Sequence, residues 1–375
     1  MDKKRVLIIS ASFFPQNSPR SFRTTELAKE LSRQGHDVTV YIPAEGRDYS
    51  SFMAEHGLKI KSLGRLKWKE ITLKGGSIQR LLRRAINRAL KLFFEWPDIQ
   101  FLFKIPKILK YEHGYDLLIS IAVPHPIHWG VARIWHKKKD IANIWIADCG
   151  DSYMFARLDT FKKMFYFKYF EKSFCKKCDF VSVPFDAMRT QFYKEFRSKI
   201  VTIPQGFDLT KIKRCDKPVQ NEKPTFMFAG SIIPGFRDLT LFIDFLKNYK
   251  NDFLFIVYTN EKGWFEKYKN DLKGRIDIRN YIDRLILIYE MSKVDFLVNV
   301  DTVLDSQSNT EAIPSKLIDY ALSGRPILNI NSHKLDIEKV KAFLYGDYSK
   351  ARVIDITRYD IKLVAKNFTS LHVTN

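Results

Sequence analysis

The chain has 375 residues, 45% of them hydrophobic, enough for two domains each with its own core. Lys and Arg number 63 against 42 Asp and Glu, a formal charge of +21, so anionic partners are expected. Four cysteines fit a reducing compartment and exclude a disulfide scaffold, and Cys175-Lys-Lys-Cys178 lacks a second pair at zinc spacing, so no metal is expected.

Val6-Leu-Ile-Ile-Ser reads as a buried strand, Thr25 to Gln34 as an amphipathic helix stopped by Gly35, and Asp37 to Ile42 as a second strand. The apolar run Val6 to Ala11 is too short for a signal-peptide core, and no stretch is long enough to span a bilayer, so a cytoplasmic protein is expected. From Arg65 to Lys110 basic residues interleave with Trp68, Phe93, Phe94, Trp96 and Phe103. Within this stretch Ile78 to Phe94 has the pattern of a basic amphipathic helix, the form that lies on an anionic bilayer. The region 78–110 is therefore expected to hold the protein at the inner face of the plasma membrane; the alternative is an ordinary surface helix packing its apolar stripe on its own sheet. Basic charge mixed with aromatics also suits RNA or single-stranded DNA. No aromatic ribonucleoprotein signature, zinc-finger spacing or helix-turn-helix phrase accompanies it, and nucleic acid is not expected as a partner.

Two further strands follow. Ile119-Ser-Ile-Ala-Val leads into Pro124-His125-Pro126-Ile127-His128, and Ile144-Trp-Ile-Ala leads into Asp148-Cys-Gly-Asp151. Both clusters fall where a parallel sheet presents its functional loops, so His125, His128, Asp148 and Asp151 are candidates to orient an acceptor hydroxyl or a transferring sugar. Helix capping by the aspartates and plain packing of the histidines are the competing readings. The polar run 208–224 is the expected hinge linker between a first domain, 1–207, and a second, 225–375, whose last helix could pack back on the first.

The second domain restarts the pattern: Phe226-Met-Phe-Ala-Gly230, a helix from about Leu239 to Tyr249, and the strand Phe253 to Tyr258. A strand-loop-helix-strand unit that begins twice predicts two nucleotide-binding-type α/β domains with parallel sheets, facing across a cleft. The densest signal is Glu311-Ala-Ile-Pro314-Ser315-Lys316-Leu317-Ile-Asp319-Tyr-Ala-Leu-Ser-Gly324. Pro314 and Ser315 form a helix entry, and Gly324 a left-handed stop. The free N–H groups and dipole of that entry attract phosphate, Lys316 adds charge, and Glu311 and Asp319 are placed to bracket the sugar and ribose hydroxyls of a nucleotide sugar.

These phrases together, with Ser12-Phe-Phe-Pro, Gly35-His36-Asp37 and Ile203-Pro-Gln-Gly-Phe-Asp208, resemble the retaining glycosyltransferases of family 4, which have the GT-B architecture of two Rossmann-like domains. Pro314-Ser-Lys-Leu-Ile-Asp-Tyr is similar to a subgroup common among bacterial surface-polysaccharide transferases. In the family the acid motif is Glu, seven residues, then Glu; here Asp319 replaces the second. Paired glycines of the first loop are replaced by Gln16-Asn17-Ser18-Pro19-Arg20, Ser231 follows Gly230 where Arg is frequent, and Gln205 stands for Asn.

The resemblance implies donor binding by Gly230, Ser231, Arg237, Glu311, Pro314, Ser315, Lys316, Leu317 and Asp319. Arg237 and Lys316 would face the leaving diphosphate, Glu311 the sugar and Asp319 the ribose. Acceptor binding falls to Asn17, Ser18, Arg20, His125, His128 and Asp148, and His125 and Asp151 join Glu311, Arg237 and Lys316 as catalytic candidates. The donor would be a UDP-sugar in preference to a GDP-sugar, with no cofactor or metal. The implied acceptor is a polyprenyl-diphosphate-linked saccharide of capsule, exopolysaccharide or O-antigen assembly. A sugar-nucleotide epimerase on the same fold and a catalytically silent scaffold are the alternatives.

Overall fold

The computed structural model describes residues 2–16, 18–44, 46–135, 140–156, 162–215, 220–235, 237–301 and 315–372. The chain forms two compact units, 1–207 with 359–375, and 208–358.

The first unit is built on a seven-stranded parallel sheet of order β3-β2-β1-β4-β5-β6-β7. Its strands are β1 (Arg5–Ser10), β2 (Asp37–Ile42), β3 (Lys59–Ser62), β4 (Tyr115–Ala122), β5 (Ala142–Cys149), β6 (Phe180–Val183) and β7 (Ile200–Thr202). Val6 pairs with Val38 on one side and Leu117 on the other, so β1 is central and its apolar run is buried on both faces. The chain runs outward to β3 and then returns to β4, which makes the carboxyl ends of β1 and β4 the topological switch point.

Helix α1 begins at Pro19, earlier than its periodicity suggests, and ends at Arg33. Ser18 caps it by accepting from the Ser21 N–H, and proline is favoured in the first turn because its missing N–H would have no helical partner. From α1, Arg23 reaches the fully buried Asp148 at the end of β5, with Nη2 to Oδ1 at 2.8 Å and Nε to Oδ2 at 3.1 Å. The Ser182 hydroxyl donates to the same carboxylate at 2.7 Å, and Arg23 also donates to the carbonyls of Ile203 and Pro204. One guanidinium thus joins α1 to three neighbouring segments of the sheet. It also stands 5.0 Å from the ring of Phe368 on the last helix (Ile361–Thr369). That helix buries Val364, Ala365 and Phe368, so the chain beyond residue 358 belongs to the first unit and the second ends short of the expected 375.

The second unit has, among the described residues, a five-stranded parallel sheet of order β10-β9-β8-β11-β12. The strands are β8 (Thr225–Ala229), β9 (Leu254–Tyr258), β10 (Ile276–Arg279), β11 (Phe296–Asp301) and β12 (Ile327–Asn331). Here the switch point lies between β8 and β11. The expected hinge linker is, over its described part, built into this unit: Arg214 Nε donates to the Leu322 carbonyl at 2.7 Å, the Cys215 N–H to Ser292 Oγ at 2.8 Å, and Asn221 to Asp295 at 2.9 Å.

The helix from Ser77 to Phe94, here α3 after the short α2 (Ser50–His56), differs from the other long helices among the described residues because none of its residues is buried. Its inward face is polar at Arg83 and Asn87 and apolar from Leu90 onward. Asn87 pairs with both backbone groups of Ile71, at 2.9 and 2.8 Å, and Arg83 donates to the Thr72 carbonyl at 3.0 Å. Ile78, Leu82, Ile86 and Phe93, spaced along one stripe, are left exposed, and Arg80, Arg84, Arg88 and Lys91 form a second stripe on the other side of the helix. The alternative of an apolar stripe packed on its own sheet is thereby overturned.

Burial alone would raise the pKa of Asp148, but the charge and hydrogen bonds of Arg23, with the Ser182 hydroxyl, hold it below the ordinary carboxylate value. Its contribution is therefore present above the unfolded pKa of about 3.9 and is lost as pH falls through the lower folded value. Arg23→Ala, which strands the carboxylate, is expected to destabilise the first unit by about 3–5 kcal/mol at pH 7, read from urea unfolding.

Candidate functional site

In the second unit the functional groups gather at the switch point. β8 ends in Gly230, whose φ of +146° is a conformation that side chains rarely adopt. The helix that follows the 302–314 segment, Ser315–Ser323, begins beside it: the side-chain carbon Cδ of Lys316 would lie 3.8 Å from a Cβ on Gly230. The Lys316 ammonium is shielded from solvent, 5.2 Å from the ring centre of Phe228. One turn on, the buried Tyr320 hydroxyl accepts from the Ala229 N–H at 2.8 Å and lies 3.1 Å from its carbonyl, which fixes the end of β8 against the helix. Burial pushes the Tyr320 phenol up, so it stays neutral.

Arg237 lies in the loop after Gly230, bridged to Ile233 by backbone hydrogen bonds of 2.7 and 3.1 Å in each direction. Its positive charge is felt at Tyr320, and its Nε is out of solvent with no hydrogen-bond partner among the described residues. Lys316, Gly230 and the helix start lie together, with the half-buried Arg237 in the adjoining loop. Positive charge beside a helix start is an arrangement that attracts anions. Ser231 is exposed in the same loop.

Asp319 has a partner that no local signal discloses. Arg284, the first residue of the helix Arg284–Met291, donates to Asp319 through Nε at 2.9 Å and again through Nη2. Both bonds fall on Oδ1, which leaves Oδ2 for another donor. Burial raises the Asp319 pKa, and the Arg284 hydrogen bond and charge oppose that rise. The Leu317 side chain is fully buried in the cluster with Met227, Leu297 and Tyr320 and packs the core, so what Leu317 can offer a donor is its backbone N–H in the first turn of the helix. Glu311 and Pro314 lie outside the described residues, and of Ser315 only the backbone position at the helix start is described.

The first unit presents a second group at its own carboxyl ends. His125, buried after β4, engages the Asp151 carbonyl through Nε2 at 3.1 Å. A carbonyl only accepts, so Nε2 carries the proton and Nδ1 the lone pair. Burial lowers the His125 pKa to about 3, and the ring is neutral at pH 7. Arg20, in the first turn of α1, lies over Gly150: a Cβ there would fall 1.5 Å from its Nη2. Asp151 is exposed and Ser18 is committed to its cap; Asn17 lies outside the described residues.

Two acceptor candidates are corrected. His128 is fully buried in a chain of donors: Trp145 Nε1 donates to Ser120 Oγ at 2.8 Å, Ser120 Oγ meets His128 Nδ1 at 2.8 Å, and His128 Nε2 lies 3.4 Å from Cys149 Sγ. The indole can only donate, so Ser120 Oγ accepts from it, and with Ser120 at Nδ1 and Cys149 at Nε2 both nitrogens of His128 are occupied within the core. Asp148 is likewise spent on Arg23 and Ser182. Among the described residues no group of three or more His, Cys, Asp or Glu could hold a metal.

The model of glycosyltransferase family 4 matches residues 22–211. No curated protein matches the sequence. Similar solved structures include a glycosyltransferase from Rickettsia africae ESF-5, at 12% identity and TM-score 0.60 over 98% of this chain and 97% of that one. Alr3699/HepE of Anabaena in complex with UDP matches at 12% identity and TM-score 0.59, over 97% and 98% of the two chains. The lipopolysaccharide outer core galactosyltransferase WaaB, in apo form, matches at 10% identity and TM-score 0.58, over 97% and 98%. At such identities the likeness shows the GT-B fold.

Removing Arg284 would leave a mostly buried carboxylate unpaired. Arg284→Ala is expected to lower the melting temperature more at pH 8, where Asp319 is charged, than at pH 4.5, where protonation relieves it; a pH-independent loss in thermal unfolding would contradict that pairing.

Proposed function

Because the chain belongs to glycosyltransferase family 4 and is a glycosyltransferase, we propose that it moves a sugar from a nucleotide donor, UDP-linked in preference to GDP-linked, to a lipid-linked saccharide with retention of configuration. The observation that carries this reading is the pair of cations at the second unit's switch point. Arg237 Nε has no hydrogen-bond partner among the described residues, and the Lys316 ammonium is shielded from solvent beside Gly230 and a helix start.

The chemistry follows from charge. Breaking the bond between the sugar and the diphosphate leaves negative charge on phosphate oxygens, and preorganised cations and N–H groups stabilise it more in the transition state than before it. Lys316, Arg237 and the helix start take that role. Glu311, four residues before the helix, holds the donor sugar, and Asp319 offers Oδ2 to a ribose hydroxyl while Arg284 fixes Oδ1. Retention needs no protein nucleophile if the acceptor attacks from the face the diphosphate leaves, with a donor phosphate oxygen taking the acceptor proton. His125 and Asp151, with Arg20, order the acceptor side in the first unit.

The exposed apolar stripe of α3, with arginines on the other side of the helix, supports peripheral attachment to an anionic membrane at the cytoplasmic face, and surface-polysaccharide assembly as the process. Among the described residues no helix is long and apolar enough to cross a membrane.

Fold does not assign chemistry, so products decide between transfer, epimerisation and a silent scaffold. Incubation with UDP- and GDP-sugars, with and without a lipid-linked acceptor, is expected to release nucleoside diphosphate only when acceptor is present. An altered free sugar nucleotide, or no turnover at all, would refute the reading. Lys316→Met should weaken UDP binding by about 1.5–3 kcal/mol in calorimetry, the loss of a charged hydrogen bond. Glu311→Ala should cut turnover by orders of magnitude with the fold intact. Flotation with phosphatidylglycerol vesicles should fall in Arg80, Arg84 and Arg88→Glu variants and in high salt.

A further inference from the structure

At the C-terminal end of α3 the chain forms an open pocket of about 470 Å³. Its walls are rings: Trp68 and Trp96 stack at 4.8 Å, Phe103 meets Trp68 edge-on at 6.3 Å, and Phe93, Phe170 and Tyr166 close the other sides. Two polar atoms of this wall are already used. Trp96 Nε1 donates to the Lys69 carbonyl at 3.0 Å, and the Tyr166 hydroxyl donates to the carbonyl of Phe93. What remains facing the cavity is carbon, in a part of the protein where Phe93, Phe94, Phe103, Phe165 and Tyr169 are all exposed.

Phe93 belongs both to this wall and to the exposed apolar stripe of α3, so the pocket is continuous with the face proposed to meet the membrane. Charge of both signs borders it, with Glu95 paired to Lys163 and Asp98 mostly buried. α3 has no acidic residue, and the exposed Arg133 holds its guanidinium 5.3 Å from the ring centre of Phe103.

We propose that this pocket binds the isoprenoid chain of the phosphate-linked lipid that carries the acceptor sugar, with Arg133 at its phosphate; the proposal rests on the reading of a lipid-linked acceptor given above. Three features select that occupant. A bilayer surface needs only a flat apolar stripe, whereas a recessed cavity takes in a single chain. A broad, ring-walled space is filled better by a methyl-branched chain than by a straight one, because unfilled volume forfeits dispersion contacts. The Arg133 charge at the rim fits an anionic headgroup rather than a neutral chain or a basic protein segment.

The test uses the full-length protein and farnesyl phosphate below its micelle concentration, followed by the fluorescence of Trp68 and Trp96. A saturable response of one ligand per chain is expected, at least tenfold tighter than for farnesol or dodecyl phosphate, with none for inorganic phosphate. Phe103→Asp and Phe94→Asp alter exposed rings and should keep the far-UV spectrum and the melting temperature. Both should weaken farnesyl phosphate at least tenfold, while Arg133→Ala should remove the preference over farnesol.

No saturable response in a protein that still floats with vesicles and still releases nucleoside diphosphate would overturn the pocket and leave the transferase reading standing. Failure of nucleotide release alone, with farnesyl phosphate bound, would strike the transferase reading instead. Equal affinity for dodecyl phosphate, or a response that tracks self-association in sedimentation, would assign the pocket to a straight-chain lipid or to a second copy and also overturn the proposal.

Discussion

A cation taken out of water is the constraint from which the second unit is best understood. Shielding an ammonium from water is costly unless opposite charge or hydrogen bonds compensate, and Lys316 is held in that way beside the bare Gly230, with the half-buried Arg237 in the loop that follows. The sheet order makes this feasible. β8 and β11 diverge at the switch point, Gly230 removes a side chain that would fill the opening, and Tyr320 pins the end of β8 so that the helix start cannot drift from it. Each piece is ordinary alone; their convergence supports the proposal that a diphosphate binds there.

Much of this architecture was legible in the sequence because it is local. Period-two and unbroken apolar runs marked β1, β2, β8 and β9, and the punctuation by Gly35, Gly324 and the prolines set the helix limits near where they fall. Residues whose role depends on a distant partner were not legible. Arg284 lies 35 positions from Asp319, and Arg23 lies 125 from Asp148, so no window of sequence discloses either pair. The same blindness explains His128 and Asp148. A loop after a strand carries functional groups and structural ones alike, and only the third dimension shows that Trp145 and Ser120 occupy one while Arg23 occupies the other. Leu317 differs from its neighbours because successive helical positions face different ways: its side chain packs the core, and only its backbone faces the helix start.

Helix α3 inverts the usual logic of a surface helix. Its amphipathic pattern was evident from spacing, but spacing cannot say which face turns inward. Asn87 and Arg83 decide it, because their bonds to the 71–72 backbone satisfy polar groups that would otherwise lie under the helix. Apolar residues then face outward as a consequence of which side was tied down. The aromatic pocket at its end has the same origin, since Trp96 and Tyr166 spend their polar atoms on backbone carbonyls and turn their ring faces to the cavity.

The most direct measurement is a crystal structure of the protein with bound UDP. The diphosphate should lie at the end of β8, with phosphate oxygens about 3 Å from Lys316 Nζ and within hydrogen-bond reach of the loop from Gly230 to Arg237. A diphosphate bound elsewhere, with Lys316 and Arg237 still turned away from any phosphate, would contradict the central role given to these two cations.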